Sequence, residues 1–126
     1  MAAGNEDAIR LGRLEFRIMD VVWDAGEATV HAVRDVLTSG RSPTYSTILT
    51  MMRKLEKKGY LRHDVCSRAY VYSATITRSN ARRSVVAELL DRAFDGSPQK
   101  LLAALVSQDR ITEEELDEVR RLIPRK

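Results

Sequence analysis

Six polar side chains recur on one side of a single short stretch: Ser46, Thr47, Thr50, Arg53, Lys54 and Lys57. At ~100° per residue they share one face of a helix, opposite Tyr45, Ile48, Leu49, Met52 and Leu55. The outer face then carries short hydroxyls and long cations, and Glu56 is the one acid of the stretch. Hydroxyls bond base edges or phosphate oxygens at close range, and Arg and Lys neutralise phosphates. A helix face that is merely solvated usually mixes acids with bases. This is chemistry for recognising a nucleic acid rather than for turnover. The chain has no Ser/His/Asp or Cys/His set, no glycine-rich phosphate loop and no metal-ligand spacing, so neither an enzyme nor a cofactor is expected. His31 and His63 fall in different elements, and Cys66 is the only cysteine, which excludes an internal disulfide and a multi-cysteine metal site.

The elements around this face must position it. Ser42 is a favoured N-cap and Pro43 suits the first helical position, while Gly59 fits a left-handed C-terminal residue behind Lys57 and Lys58. A helix over about 43–58 is predicted, with Arg41 leading into it. Tyr60 to Val65 then reads as a strand, Cys66-Ser67-Arg68 as a turn and Ala69 to Ala74 as a returning strand, a hairpin wing over about 62–72. Leu61, His63 and Val65 share one side of the first strand, and Arg68 sits at the tip, within reach of the sugar–phosphate backbone. Upstream, Leu11, Leu14, Ile18, Val21 and Val22 give a helix that begins near Arg10 and breaks at Asp24-Ala25-Gly26, with Trp23 packing at its end. Thr29 caps a second helix to about Thr38, with Val30, Val33 and Leu37 inward and Ala28-Thr29-Val30 as a short strand or extended lead-in. Two helices, a hydroxyl- and cation-rich helix and a hairpin follow the order of a winged helix-turn-helix. The candidate DNA-binding set is Arg41, Ser42, Thr44, Ser46, Thr47, Thr50, Arg53, Lys54, Lys57 and Arg68.

A length of 126 residues suits one domain plus an appendage, and 44% hydrophobic with 31% charged residues describes a soluble globular chain. The net charge of +3 is modest, but it is unevenly placed. Residues 1–40 carry −3, residues 41–83 carry +8 and residues 84–126 carry −2. A basic central block is the electrostatic footprint of a phosphate partner, although RNA or an acidic protein would also answer to it. No stretch approaches the ~20 apolar residues of a membrane span, and Met1 to Asp7 lacks a signal pattern, so a cytoplasmic protein without membrane insertion is expected.

Beyond the hairpin the pattern is helical. Thr77 to Phe94 presents Ala81, Val85, Val86, Leu89, Leu90, Ala93 and Phe94 on one broad face, and Asp95-Gly96 stops it. Ser97-Pro98 starts a short helix with Leu101, Leu102, Leu105 and Val106. Thr112 and Glu115 form a capping box, stapled by Ile111 and Leu116, before a last helix with Val119, Leu122 and Ile123. These helices have more apolar face than so small a lobe can bury alone, and a second copy is the economical cover. Val85, Val86, Leu89, Leu90, Phe94, Leu101, Leu102, Leu105, Leu116, Val119, Leu122 and Ile123 are the candidate dimerisation residues. The expected organisation is a flexible N-terminus over 1–9, a winged-helix DNA-binding domain over 10–75 and a helical dimerisation domain over 76–126. The fold class is mainly α with a small β-hairpin wing.

Three segments carry a family resemblance: Leu14-Glu15-Phe16-Arg17-Ile18-Met19-Asp20-Val21-Val22-Trp23, the run from Tyr45 to Leu61, and Thr112 to Ile123. Together they resemble the penicillinase and methicillin-resistance repressors of the BlaI/MecI type over nearly the whole chain, Leu11 to Ile123. The resemblance implies dimers that repress transcription from palindromic operators. It places Thr44, Ser46, Thr47, Thr50 and Arg53 toward DNA and Arg68 on the wing. It also implies induction by a membrane-bound sensor metalloprotease of β-lactams, with cleavage of the repressor in its dimerisation domain. The matching bond is Ala104–Leu105, where relatives have Asn-Phe. A copper-responsive branch of the family uses a C-terminal cysteine cluster, and this chain has no cysteine after Cys66.

Two other readings stand beside the dimeric repressor. A ligand-responsive winged-helix regulator would need a pocket between the lobes with converging polar groups. A winged helix used for protein interaction would show mixed charge or exposed apolar residues on the outer face of the third helix.

Overall fold

The computed structural model describes residues 8–124. In order, these form α1 (Arg13–Ala25), α2 (Val30–Leu37), α3 (Tyr45–Lys57), β1 (Leu61–Cys66), β2 (Ala69–Ala74), α4 (Arg78–Ala93), α5 (Pro98–Ser107) and α6 (Glu113–Leu122). The strands pair antiparallel from Leu61↔Ala74 to Cys66↔Ala69. The chain divides into two units between Val85 and Val86, inside α4. That is ten residues beyond the 75/76 boundary expected from sequence, because the first turns of α4 are fastened to the N-terminal unit. Ala81 is fully buried, and Arg78 donates to Asp20 and Asp24 at 3.1 and 2.7 Å.

In the N-terminal unit, the apolar stripes of three helices meet the hairpin. Ile18, Met19 and Val22 of α1, Val33 of α2 and Ile48, Met52 and Leu55 of α3 are all fully buried. Leu61 of β1 and Tyr72 of β2 close the core from the hairpin side. Each such aliphatic side chain contributes ~1.5–3 kcal/mol by leaving water. Trp23 packs where it was expected, edge-on to Phe16, with its indole N–H donating to the Ile76 carbonyl at 2.9 Å. Ala28 is an extended lead-in, exchanging two 2.9 Å backbone hydrogen bonds with Tyr72.

The expected ends hold at α2, α5 and α6. Thr29 accepts from Ala32 N–H, Ser97 from Lys100 N–H, and Thr112 from Glu115 N–H while the Glu115 carboxylate accepts from Thr112 N–H. α1 starts at Arg13 rather than Arg10, behind Gly12, whose N–H donates to the Glu15 carboxylate at 2.8 Å. The start of α3 is also corrected. Ser42 does not cap it, because Ser42 exchanges backbone hydrogen bonds with Ser39 in the preceding turn. Thr44 caps it instead, accepting from Thr47 N–H, and the first helical residue is Tyr45 rather than Pro43.

Residues 1–7 of the expected flexible N-terminus lie outside the described residues. Ile9 is attached, since its N–H donates to the Ser84 hydroxyl at 3.2 Å. In the C-terminal unit no residue of 86–124 is buried, and Val86, Leu102, Val106, Val119, Leu122 and Ile123 are exposed. Among the described residues, no helix is long and apolar enough to cross a membrane.

Candidate nucleic-acid interface

Thr44 sets the register of the outer face of α3. As cap, it leaves Ile48, Met52 and Leu55 inward and turns Ser46, Thr47, Thr50, Arg53, Lys54 and Lys57 outward, all of them exposed. Its hydroxyl lies 3.0 Å from that of Thr47 and 3.3 Å from that of Ser46, so the N-terminal turn presents a cluster of hydroxyls. The positive end of the helix dipole adds to the attraction for phosphate there. Arg41 and Ser42, in the turn before the helix, are exposed as well.

The electrostatics favour a polyanion. Among the described residues, Arg41, Arg53, Lys54, Lys57 and Arg68 form no ion pair, so no carboxylate neutralises them in place. Glu56, the acid of α3, is withdrawn from the face. Its two oxygens lie 2.8 and 2.7 Å from Nδ1 of His63 on β1. His63 in turn stacks on Tyr70 of β2, with ring centroids 4.0 Å apart and planes 9° from parallel. α3 and the hairpin are therefore tied by a carboxylate–imidazole–phenol arrangement.

At the wing tip, Ser67 and Arg68 both have positive φ, 50° and 69°. Two such residues make the turn that matches the twist of a two-residue hairpin. Arg68 is held at the apex by this turn, exposed, beyond the last strand pair Cys66↔Ala69. Cys66 beside it is an exposed free thiol.

Some residues beside the face were not anticipated. Tyr45, expected on the inner side, is 36% exposed because the first turn of α3 runs past the end of the core. It lies against His31, centroids 4.7 Å apart, with the Arg34 guanidinium 5.9 Å from its ring. With Arg53, Arg68 and Tyr70 these two rings border a cavity of about 360 Å³ between α2, α3 and the wing. Tyr72 was not among the residues expected in the core, and the return of β2 over the helices buries it fully.

Glu15 was also missed. Its side chain is 4% exposed, and Lys58, which closes α3, donates to both carboxylate oxygens at 3.1 and 2.9 Å. Burial pushes the Glu15 pKa up, but the Gly12 N–H and the Lys58 ammonium outweigh it, and the net shift is downward from 4.5. A carboxylate on the polar side of an amphipathic helix gives no sequence signal of such a partner 43 residues away.

Among the described residues, no group of three or more His, Cys, Asp or Glu side chains is placed to hold a metal ion. The arrangement can dock a duplex by a helix in the major groove and a cation on the flanking backbone.

Known proteins are similar to this chain in sequence and fold. The chain is 32% identical to the transcriptional regulator BlaI of Mycobacterium tuberculosis over 116 residues, spanning 90% of this chain and 83% of that protein. The solution structure of the monomeric form of Bacillus licheniformis BlaI in complex with the blaP half-operator matches with a TM-score of 0.51 and 28% identity, over 59% of this chain and 90% of that one. A mutant MarR from Escherichia coli, solved with operator DNA, matches with a TM-score of 0.53 over 89% of this chain and 72% of that one; at 16% identity it speaks for the fold alone. The family profile described as "Penicillinase repressor" covers residues 11–125. With its winged helix, its acid-free outer face and a match over nearly its full length, the chain belongs to the penicillinase repressor family of BlaI/MecI-type DNA-binding transcriptional repressors.

Proposed function

We propose that the chain acts as a homodimer on palindromic operator DNA, reading bases with the outer face of α3 and holding the backbone with Arg68. The observation that carries this is the row of exposed hydroxyls and unpaired cations on α3, with its acid turned to the wing. Arg41, Ser42, Thr44, Ser46, Thr47, Thr50, Arg53, Lys54 and Lys57 all lie on or before that helix, and all are exposed. An outer face for protein interaction would carry acids or exposed apolar side chains, and this one carries neither.

Dimerisation is supported by the C-terminal unit. Val86, Leu102, Val119, Leu122 and Ile123 are exposed and Leu89, Leu90, Phe94, Leu101, Leu105 and Leu116 only half-buried, a face that a second copy would cover. Val85, also exposed, adjoins it in sequence. Two linked recognition helices about 34 Å apart would match two half-sites one turn apart. Linkage raises avidity by ~10²–10⁴ over a single protomer, so cutting the C-terminal unit would release the operator.

Proteolytic derepression on β-lactam exposure, by a membrane-bound sensor metalloprotease, completes the proposal. The candidate bond Ala104–Leu105 lies in the second half of α5, where the Ala104 carbonyl accepts from Gln108 N–H at 3.1 Å and from the Ser107 hydroxyl at 3.0 Å. A protease needs an extended segment, so that last turn must open first.

The test is a gel-shift titration with the promoter upstream of its own gene and a scrambled duplex, at two salt concentrations. Tight, salt-sensitive binding with two protomers per site is expected. Arg53→Ala and Lys54→Ala should each lower the salt slope by about 1. An unchanged slope in both variants would remove α3 from the interface.

A further inference from the structure

The acid of α3 and its partner on the hairpin stand where a proton can act on DNA binding. Both oxygens of Glu56 face Nδ1 of His63, at 2.8 and 2.7 Å, and both side chains are partly buried. An ionised carboxylate only accepts, so Nδ1 carries a hydrogen whatever the charge of the ring, and a further proton goes to Nε2. The ring lies flat on Tyr70 of β2, centroids 4.0 Å apart, and 5.7 Å from Tyr72. A cation this close to a phenol face is attracted by it. The imidazole is thus clasped between an anion from α3 and a π face from β2, and both contacts tighten when it is charged.

On α3, Arg53 stands one turn before Glu56. On β2, the Tyr72 hydroxyl pKa is pushed up by burial and then by the Glu56 charge, against the pull of Arg53. Arg62 and Asp64 flank His63 on β1 but alternate to the opposite face, where Arg62 donates to the Ser73 hydroxyl at 3.2 Å. Of these side-chain types, imidazole is the one whose charge changes between about pH 5 and 8.

Glu56 lies between Arg53 and Lys57 in sequence. A phosphate held by either cation is within about a Debye length of the carboxylate, ~10 Å at 0.1 M salt, and is repelled by it. We propose that Glu56 and His63 are positioning residues that form a proton-operated latch: a proton on His63 fixes the hairpin to α3, cancels the carboxylate in place and so tightens operator binding. Neither side chain has to touch DNA. The effect on the operator rests on the DNA-binding reading; the latch itself rests on the fold.

The experiment uses the full chain with the promoter duplex upstream of its own gene, at pH 6 and pH 8 and constant salt. The Kd should rise about three- to tenfold from pH 6 to pH 8, and calorimetry in two buffers of different ionisation enthalpy should show part of one proton taken up on binding. His63→Gln keeps a donor for Glu56 without a titratable ring and should flatten the ratio to within about twofold. His31→Gln, at the other histidine, should keep it. Glu56→Gln has at pH 8 the local charge that the parent has at pH 6, and should bind at pH 8 about as tightly as the parent at pH 6. An equal ratio in parent and His63→Gln, a ratio lost in His31→Gln instead, binding without proton uptake, or Glu56→Gln no tighter than the parent at pH 8 overturns the proposal. Without DNA, Glu56→Gln should lower the melting temperature more at pH 6 than at pH 8, since the ion pair needs the charged ring and is lost as pH rises. Equal lowering at both overturns the latch. A parent that binds the promoter no better than a scrambled duplex at either pH refutes the DNA reading, and the melts then decide the latch.

Discussion

The Lys58 ammonium donates to both carboxylate oxygens of Glu15, at 3.1 and 2.9 Å, and so fastens the end of the recognition helix to the first turn of α1. The same ammonium also reaches the Arg10 carbonyl at 3.1 Å. The pose of the recognition helix therefore depends on a buried carboxylate on another helix, at the end of α3 opposite the cap.

Because the folded Glu15 pKa is lowered, its contribution to stability is complete above the ordinary value of 4.5 and is lost as pH falls through the folded value. Lys58→Met leaves that carboxylate buried and unpaired and should cost about 3 kcal/mol at pH 7. Urea midpoints at pH 7 and pH 3 should differ more for the parent than for Glu15→Gln. Identical pH dependence in the two would mean that the pair adds nothing to folding.

Thr44→Ala should destabilise the DNA-free protein by about 1 kcal/mol, since it removes the acceptor of Thr47 N–H. Ser42→Ala should stay within about 0.5 kcal/mol. Thermal melts of the two variants decide which residue caps α3; the reverse order would restore Ser42.

Arg68 occupies a positive-φ position that glycine adopts freely. Arg68→Gly should therefore hold or raise stability, by up to about 1 kcal/mol, while lowering the operator salt slope by about 1. Melting the protein and titrating operator at several salt concentrations test both halves. A variant with undiminished slope would show that the wing tip does not touch DNA.

Leu122 is 79% exposed, so Leu122→Asp should change the stability of a single protomer by less than about 0.5 kcal/mol. If α6 faces a second copy, sedimentation should show monomers at concentrations where the parent is dimeric. Operator affinity should then drop by ~10²–10⁴. A variant that still sediments as a dimer would place the interface elsewhere.

Sequence by itself determined the order and type of the elements, because the signals for them are local. Thr29, Ser97 and the Thr112/Glu115 pair cap helices through atoms three residues away, and the periodicity of Ile48, Met52 and Leu55 follows from the turn of one helix. The outer hydroxyls and cations of α3 were legible for the same reason, since a face is fixed by spacing alone. Only the tertiary structure decided which candidates meet. The choice of Thr44 over Ser42 depends on the Ser39–Ser42 turn, and the exposure of Tyr45 on where the core ends. Glu15 with Lys58 and Glu56 with His63 join residues from separate elements. No periodicity within one element encodes such pairs, because they arise from how the helices and the wing pack around a shared core.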